Sequence, residues 1–284
     1  MGIKVVILAG GLGSRISEET HLKPKPMIDI GGKPILWHIM KIYSHWGIND
    51  FVICCGYKGY VIKEYFANYF LHTSDVTFNM AQQTTEIHEN TAEPWRVTLI
   101  DTGENTSTGG RLRRVARYLK GERFCLTYGD GVSNVNIQEL LRFHENKKAM
   151  VTITVAQPPG RYGSVSLDAD GSVEHFIEKP QGDGGWVNAG FMVLQPEFID
   201  QYTSNDQSIL ESEGLQSVAL DKNLVAYKHS GFWHAMDTLR DQNYLNNLWS
   251  ANSAPWKVWS DDQIVRANNW EVALSSPSLL KVIN

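Results

Sequence analysis

The stretch that decides the fold is IKVVILAGGLGSRISEETHLKPKPM, residues 3–27. Residues 3–9 form a continuous apolar, β-branched run without alternation, the pattern of a strand buried on both faces in a parallel sheet. A turn containing Gly10, Gly11 and Gly13 follows at once. Glycines there let backbone come close to a ligand, and successive exposed amides form a cradle for phosphate. Arg15 and Lys25 add fixed positive charge beside that cradle. Spacing excludes two other glycine loops: GxGxxG requires a glycine where Ile16 stands, and no GxxxxGK[ST] occurs. A bare glycine turn after a first strand is more often a tight connection than a phosphate site. Here it is followed by Lys23-Pro24-Lys25-Pro26, which places two lysines in a segment expected to stay extended, because residues before proline are pushed out of helical geometry. A solvated basic linker is the bland reading; rigid extension just downstream of a cradle favours a functional one.

Outward from this stretch, strand and helix signals alternate, as in a doubly wound α/β domain. Pro34 opens a helix expected over 34–46, 51–55 reads as a strand and 58–69 as a helix. Residues 71–108 read as short strands and a loop, 110–120 as a helix, and FCLTY at 124–128 as a strand running into GDG. Asp130 is thereby placed at the carboxyl end of a buried strand, where open α/β sheets bind their ligands. After residue 150 the signals turn mostly β, in VTITVA, YGSVSLD, VEHFIEK and WVNAGFMVL. SILESEGLQSVAL and TLRDQNYLNNLW read as helical and NLVAYKH as extended, whereas the chain from about 250 is only weakly periodic. The expected fold is α/β: a Rossmann-like mixed, mostly parallel sheet flanked by helices, with a smaller β-rich extension. One catalytic domain is expected over 1–250, in halves of about 1–150 and 151–250, followed by an extension at 251–284.

Composition narrows the function classes. The 284 residues are 42% hydrophobic and 20% charged, an ordinary globular balance. A net charge of −5 without any basic stripe speaks against a nucleic-acid surface. No apolar run approaches the roughly 20 residues of a membrane helix, and MGIKVVILAGG lacks the features of a secretory signal, so no membrane association and a cytoplasmic location are expected. Cys54, Cys55 and Cys125 lie in apolar runs and read as reduced, packed thiols. The histidines offer no HExxH pair, and His229 and His234 are poorly spaced for zinc.

Taken together, LAGGLGSR (8–15) and PKPM (24–27) resemble the signature of the sugar-phosphate nucleotidyltransferase family. Further stretches resemble its cytidylyl-transferring branch: 17–48, GYKGYVIKEYF at 56–66, DTGENTSTGGRLRRV at 101–115, TYGDGVSNV at 127–135, EKPQGDGGWVNAGF at 178–191, GFWHAMDTLRD at 231–241 and APWKVW at 254–259. The resemblance therefore runs from residue 3 to about 259. It implies transfer of a cytidylyl group from CTP to glucose 1-phosphate, with Mg²⁺ as cofactor and a homo-oligomeric assembly. UTP or dTTP, or another sugar 1-phosphate, are the nearest alternatives; a non-catalytic regulator that binds a nucleotide sugar is the alternative of another class.

By the same resemblance, Asp130 and Asp237 correspond to the carboxylates that hold the metal, a hard cation suited to oxygen ligands. Read singly, Asp130 is also a turn former and Asp237 a helix N-cap. Arg15, Lys25 and Lys179 are implied as the catalytic cations. Leu8, Ala9, Gly10, Gly11, Gly13, Ser14, Arg15, Lys25, Thr108, Gly110, Arg111 and Asp130 are implied on the nucleotide side. Tyr128, Glu178, Lys179, Asn188 and Gly190 are implied on the sugar-phosphate side, which makes the β-rich half the sugar side. Ser14 and Arg111 point to the base, since a guanidinium serves the adjacent O2 and N3 acceptors of cytosine, whereas an N3–H of uracil or thymine meets it donor to donor. The other reading of Arg111 is a charge on the surface of an amphipathic helix. The chain departs from the branch at Ala189, where a second glycine is usual, in 204–220, which is only loosely alike, and in 260–284.

Overall fold

The apolar run at the start becomes β1 (Lys4–Ala9), an inner strand of a seven-stranded sheet. The structure is a computed structural model that describes residues 2–13, 16, 20–158, 164–177 and 185–260. The other strands are β2 (Asp50–Cys55), β3 (Arg96–Asp101), β4 (Phe124–Tyr128), β5 (Val151–Ala156), β6 (Val187–Leu194) and β7 (Leu224–His229). Their order is β7-β5-β6-β4-β1-β2-β3. β1 pairs in parallel with β2 and β4, β2 with β3, and β5 with β7. β6 alone reverses, antiparallel to both β4 and β5. The fold is thus the Rossmann-like, mixed and mostly parallel α/β sheet expected, and the β-rich second half continues the same sheet through β5, β6 and β7.

Helices cover both faces. α1 (Ile35–His45), α2 (Gly59–Ala67), α3 (Thr108–Val115), α4 (Ile137–Lys147), α5 (Glu197–Tyr202), α6 (Gln216–Leu220) and α7 (Leu239–Ser250) are joined by a π-helical turn at Leu210–Leu215. On one face Val6, Leu8, Val52 and Leu126 form a buried cluster with Leu112 and Val115 of α3, Phe198 of α5 and Leu210 and Leu215 of the π turn. Val5, Ile7, Phe51 and Ile53 are buried on the opposite face, which is why these strands read as unbroken apolar runs. Cys54, Cys55 and Cys125 are free, buried thiols, and burial pushes that of Cys55 up to about 11 and that of Cys125 to about 12.

The chain divides into two compact units, 1–66 with 94–260, and 67–93 with 261–284. The sheet belongs to the first. Residues 251–260, without an expected role, bury Trp256 and Trp259 there. Trp256 donates its indole N–H to Nδ1 of the buried His38 at 3.3 Å, so Nε2 carries the imidazole proton and donates to the Ile30 carbonyl at 2.8 Å. The described part of the second unit is a short helix, Tyr69–Thr73, and an antiparallel ribbon of Ser74–Asn79 with Thr84–Asn90. Among the described residues no helix is long and apolar enough to cross a membrane.

Candidate active site

β1 and β4 run in parallel and end side by side, in register from Lys4 with Phe124 to Leu8 with Tyr128. The glycine turn after β1 and the GDG turn after β4 therefore open on the same edge, tied by the Gly129 amide donating to the Leu8 carbonyl at 3.0 Å. A cleft of about 510 Å³ lies beyond this edge. Of the residues expected on the nucleotide side, Leu8, Ala9, Gly10, Gly11, Gly13, Lys25, Thr108, Arg111 and Asp130 line it. So do Tyr128 and Asp237. Ser14, Arg15, Glu178 and Lys179 lie outside the described residues.

The segment carrying Lys25 is not wholly extended. Pro24 is extended, but Lys25–Met27 form a single 3₁₀ turn closed by the Ile28 amide donating to the Lys25 carbonyl at 3.1 Å. Pro26 is tolerated there because the first helical turn leaves its amide position without a partner in any case. Lys23 points elsewhere and pairs with Asp29. The turn aims Lys25 at Asp130 Oδ2 and Asp237 Oδ1, at 2.6 and 2.7 Å from one ammonium. Burial alone would lower the pKa of Lys25, but Asp130 and then Asp237 outweigh it and raise the value above the ordinary lysine range.

Asp237 reaches this point through a two-stranded ribbon, Gly131–Ser133 against Trp233–Ala235, in which Ala235 lies opposite Gly131. The Met236 amide then donates to the Asp130 carbonyl at 2.8 Å. The N-cap of α7 is Thr238, whose side chain accepts from the Asp241 amide in a capping box, so Asp237 precedes the cap and is not itself the cap. Asp130 and Asp237 converge on a single compact cation, here the Lys25 ammonium, and a carboxylate pair open to a cleft matches what a divalent cation takes from protein when phosphates supply its other ligands.

Two of the expected residues are held closely by the protein itself. Arg111 is buried, and its terminal nitrogens donate to Thr102 Oγ1 at 2.8 Å and to the carbonyls of Gly103, Gly10 and Glu104 at 2.7, 2.9 and 3.0 Å, with Cys55 at 3.4 Å. The terminal N–H groups on which serving a cytosine edge depends are engaged by protein acceptors in this structure, although the side chain borders the cleft, and its burial shows that Arg111 is not a helix-surface charge. Gly110 lies beneath the wall of the cleft, and a Cβ on it would stand 2.2 Å from the Asp206 carbonyl oxygen, so its missing side chain serves close packing.

Asn188 and Gly190 do not line this cleft; Gly190 packs against Tyr128, with φ +78, and a side chain there would collide with the Tyr128 ring at 2.5 Å. Asn188 accepts from the Gly190 amide at 2.9 Å. The Tyr128 hydroxyl donates to Glu211 Oε1 at 2.6 Å, and Thr108 Oγ1 donates to Glu211 Oε2 at 2.8 Å. Burial first, and then the Glu211 carboxylate, drive the Tyr128 phenol well above its ordinary range. Thr106, Ser107 and Ile209 also line the cleft, and Ile209, like Glu211 behind it, carries no motif of its own. The segment 204–220 is met there by the TGG at 108–110, whose Gly109 and Gly110 amides donate to the Ser208 carbonyl.

Comparisons with known proteins give the family and the likeness of fold. The nucleotidyl transferase family model matches residues 4–261. A glucose-1-phosphate cytidylyltransferase of Salmonella typhi is 57% identical over 258 residues, 90% of this chain and 100% of the relative. A probable glucose-1-phosphate cytidylyltransferase of Bacillus subtilis is 40% identical over 90% of this chain and 100% of the relative. Among solved structures, HddC from Yersinia pseudotuberculosis superposes with a TM-score of 0.61 at 24% identity, over 87% of this chain and 100% of that one, a likeness of fold.

Proposed function

This chain belongs to the nucleotidyl transferase family, and from that premise we propose that it transfers a cytidylyl group from CTP to α-D-glucose 1-phosphate and releases pyrophosphate. The observation that carries the reading is the convergence of Asp130 and Asp237 on one cation beside the glycine turn. An oxygen of the sugar phosphate forms the new bond to the α-phosphorus of the nucleotide, and the bond from that phosphorus to the pyrophosphate oxygen breaks. The nucleophile is already an oxyanion, so no general base is required and catalysis reduces to alignment and charge neutralisation.

Asp130 and Asp237 would hold Mg²⁺, which when bound offsets the charge of the phosphates. The amides of the Gly10–Gly13 turn cradle the nucleotide phosphates. Lys25 adds positive charge at the cleft wall, and Arg15 and Lys179 are assigned the remaining cationic roles from their motifs. Arg111 contributes by pinning the Gly10 carbonyl, and with it the shape of the cradle.

The test is pyrophosphate release with Mg²⁺ and glucose 1-phosphate, with CTP, UTP, dTTP, ATP and GTP in parallel. CTP is expected to be preferred, and Asp130→Ala to lower kcat by on the order of a hundredfold or more, the scale seen when a transition-state charge partner is removed. Preference for another triphosphate would overturn the cytidylyl assignment and leave the reaction class standing. Failure of every triphosphate with a panel of sugar 1-phosphates would overturn the reaction.

A further inference from the structure

The segment 204–220, only loosely like its counterpart in the branch the chain resembles, is anchored to the nucleotide-side helix. Arg114 makes two hydrogen bonds to the Asp206 carboxylate, the Ser107 amide donates to the Asp206 carbonyl, and the Gly109 and Gly110 amides donate to the Ser208 carbonyl. Ile209 then lines the cleft, and the π-helical turn at Leu210–Leu215 presents Glu211 directly behind it. Single π turns recur at functional sites because they re-aim a side chain that an α-helix would place elsewhere. Both carboxylate oxygens of Glu211 are engaged, one by Tyr128 and one by Thr108, and Thr108 Oγ1 in turn accepts from the Leu210 amide at 2.9 Å. The carboxylate cannot rotate without breaking one of these bonds.

This arrangement fixes the direction of a hydrogen bond. An ionised carboxylate only accepts, and a phenol has one proton to give. With that proton committed to Glu211 at 2.6 Å and the Asn188 side chain donating to the same oxygen, Tyr128 has one acceptor position left and can only accept from anything else that meets it. Building on the nucleotidyl-transfer reading above, we infer that Glu211 is a positioning residue that makes Tyr128 an obligate acceptor, so that the sugar 1-phosphate is selected for a hydroxyl that donates at that point. Glu211 reaches the substrate only through Tyr128, whose ring also packs over Gly190 and so cannot turn its oxygen away from the sugar side.

The experiment uses the whole protein with glucose 1-phosphate and its 2-, 3-, 4- and 6-deoxyfluoro analogues, in which fluorine can accept weakly but cannot donate. At one position the wild type is expected to lose roughly tenfold in kcat/KM, most of it in KM, the scale of a lost hydrogen bond. Glu211→Gln, which can turn its amide N–H toward Tyr128, and Tyr128→Phe should each bring the penalty at that same position to within about twofold, with penalties at the other positions unchanged. A structural defect would lower all five rates together and leave their ratios intact. Turnover by the wild type with no penalty that responds to both variants overturns the role of Glu211. Absence of turnover with any sugar 1-phosphate overturns the nucleotidyl-transfer reading, and this inference with it.

Discussion

His38 is buried among Trp37, Trp249, Trp256 and Trp259, and burial depresses its pKa from 6.5 to about 4, against the opposing pull of the Ile30 carbonyl and Asp29. Between these values the unfolded chain binds the proton and the folded chain does not, so stability is full above about pH 6.5 and falls as pH drops toward 4. A shift of this size corresponds to on the order of 3 kcal/mol. Urea unfolding across this range should show that loss, and His38→Gln, which can replace both hydrogen bonds without titrating, should flatten the slope; an unchanged slope would assign the acid sensitivity to other groups. At this scale the sequence made the carboxylates and the glycine turn legible, because GDG and AGGLG are local signals tied to strand ends. It could not show the surroundings of Arg111, because one sequence does not reveal that five acceptors from 10, 55 and 102–104 surround a guanidinium.

α7 begins with a reciprocal cap: Thr238 Oγ1 accepts from the Asp241 amide, and Asp241 Oδ2 accepts from the amides of both Thr238 and Asp237. Burial would raise the Asp241 pKa, but the Thr238 hydrogen bonds and the nearby His234 lower it. Thr238→Ala is expected to lower the stability to urea by about 1 kcal/mol, the ordinary value of such a cap; a change within error would mean that Asp241 holds the helix start alone. Helical periodicity marked α1, α3 and α7 well, to within a few residues. α4 was not among the expected helices, although Asn136 accepts from the Glu139 amide as a side-chain cap. The π turn has no sequence period to betray it, and Glu211 was hidden for that reason.

Across the whole molecule, apolar runs revealed which segments are buried strands but not their direction, since a strand hidden on both faces has no alternation to orient it. The reversal at β6 and the order β7-β5-β6-β4-β1-β2-β3 follow from chain connectivity and packing. The tail at 251–260 read as unpatterned because its contribution is two tryptophans inserted into a cluster built by distant α1 and α7. Trp256→Ala should destabilise the fold by about 3–5 kcal/mol, as for other large buried aromatics, and leave His38 Nδ1 without its donor. A loss below about 1 kcal/mol in denaturant titration would show that this segment is dispensable.

Lys25 and Asp237 stand 212 positions apart, with Asp130 between them in the chain. During synthesis from the amino terminus, the glycine cradle and α3 emerge long before the second carboxylate exists. A nascent chain therefore cannot bring Lys25, Asp130 and Asp237 together until the strand at Trp233–Ala235 has been made and laid against Gly131–Ser133. The three charges of this cluster thus meet only in a chain whose synthesis has passed that ribbon.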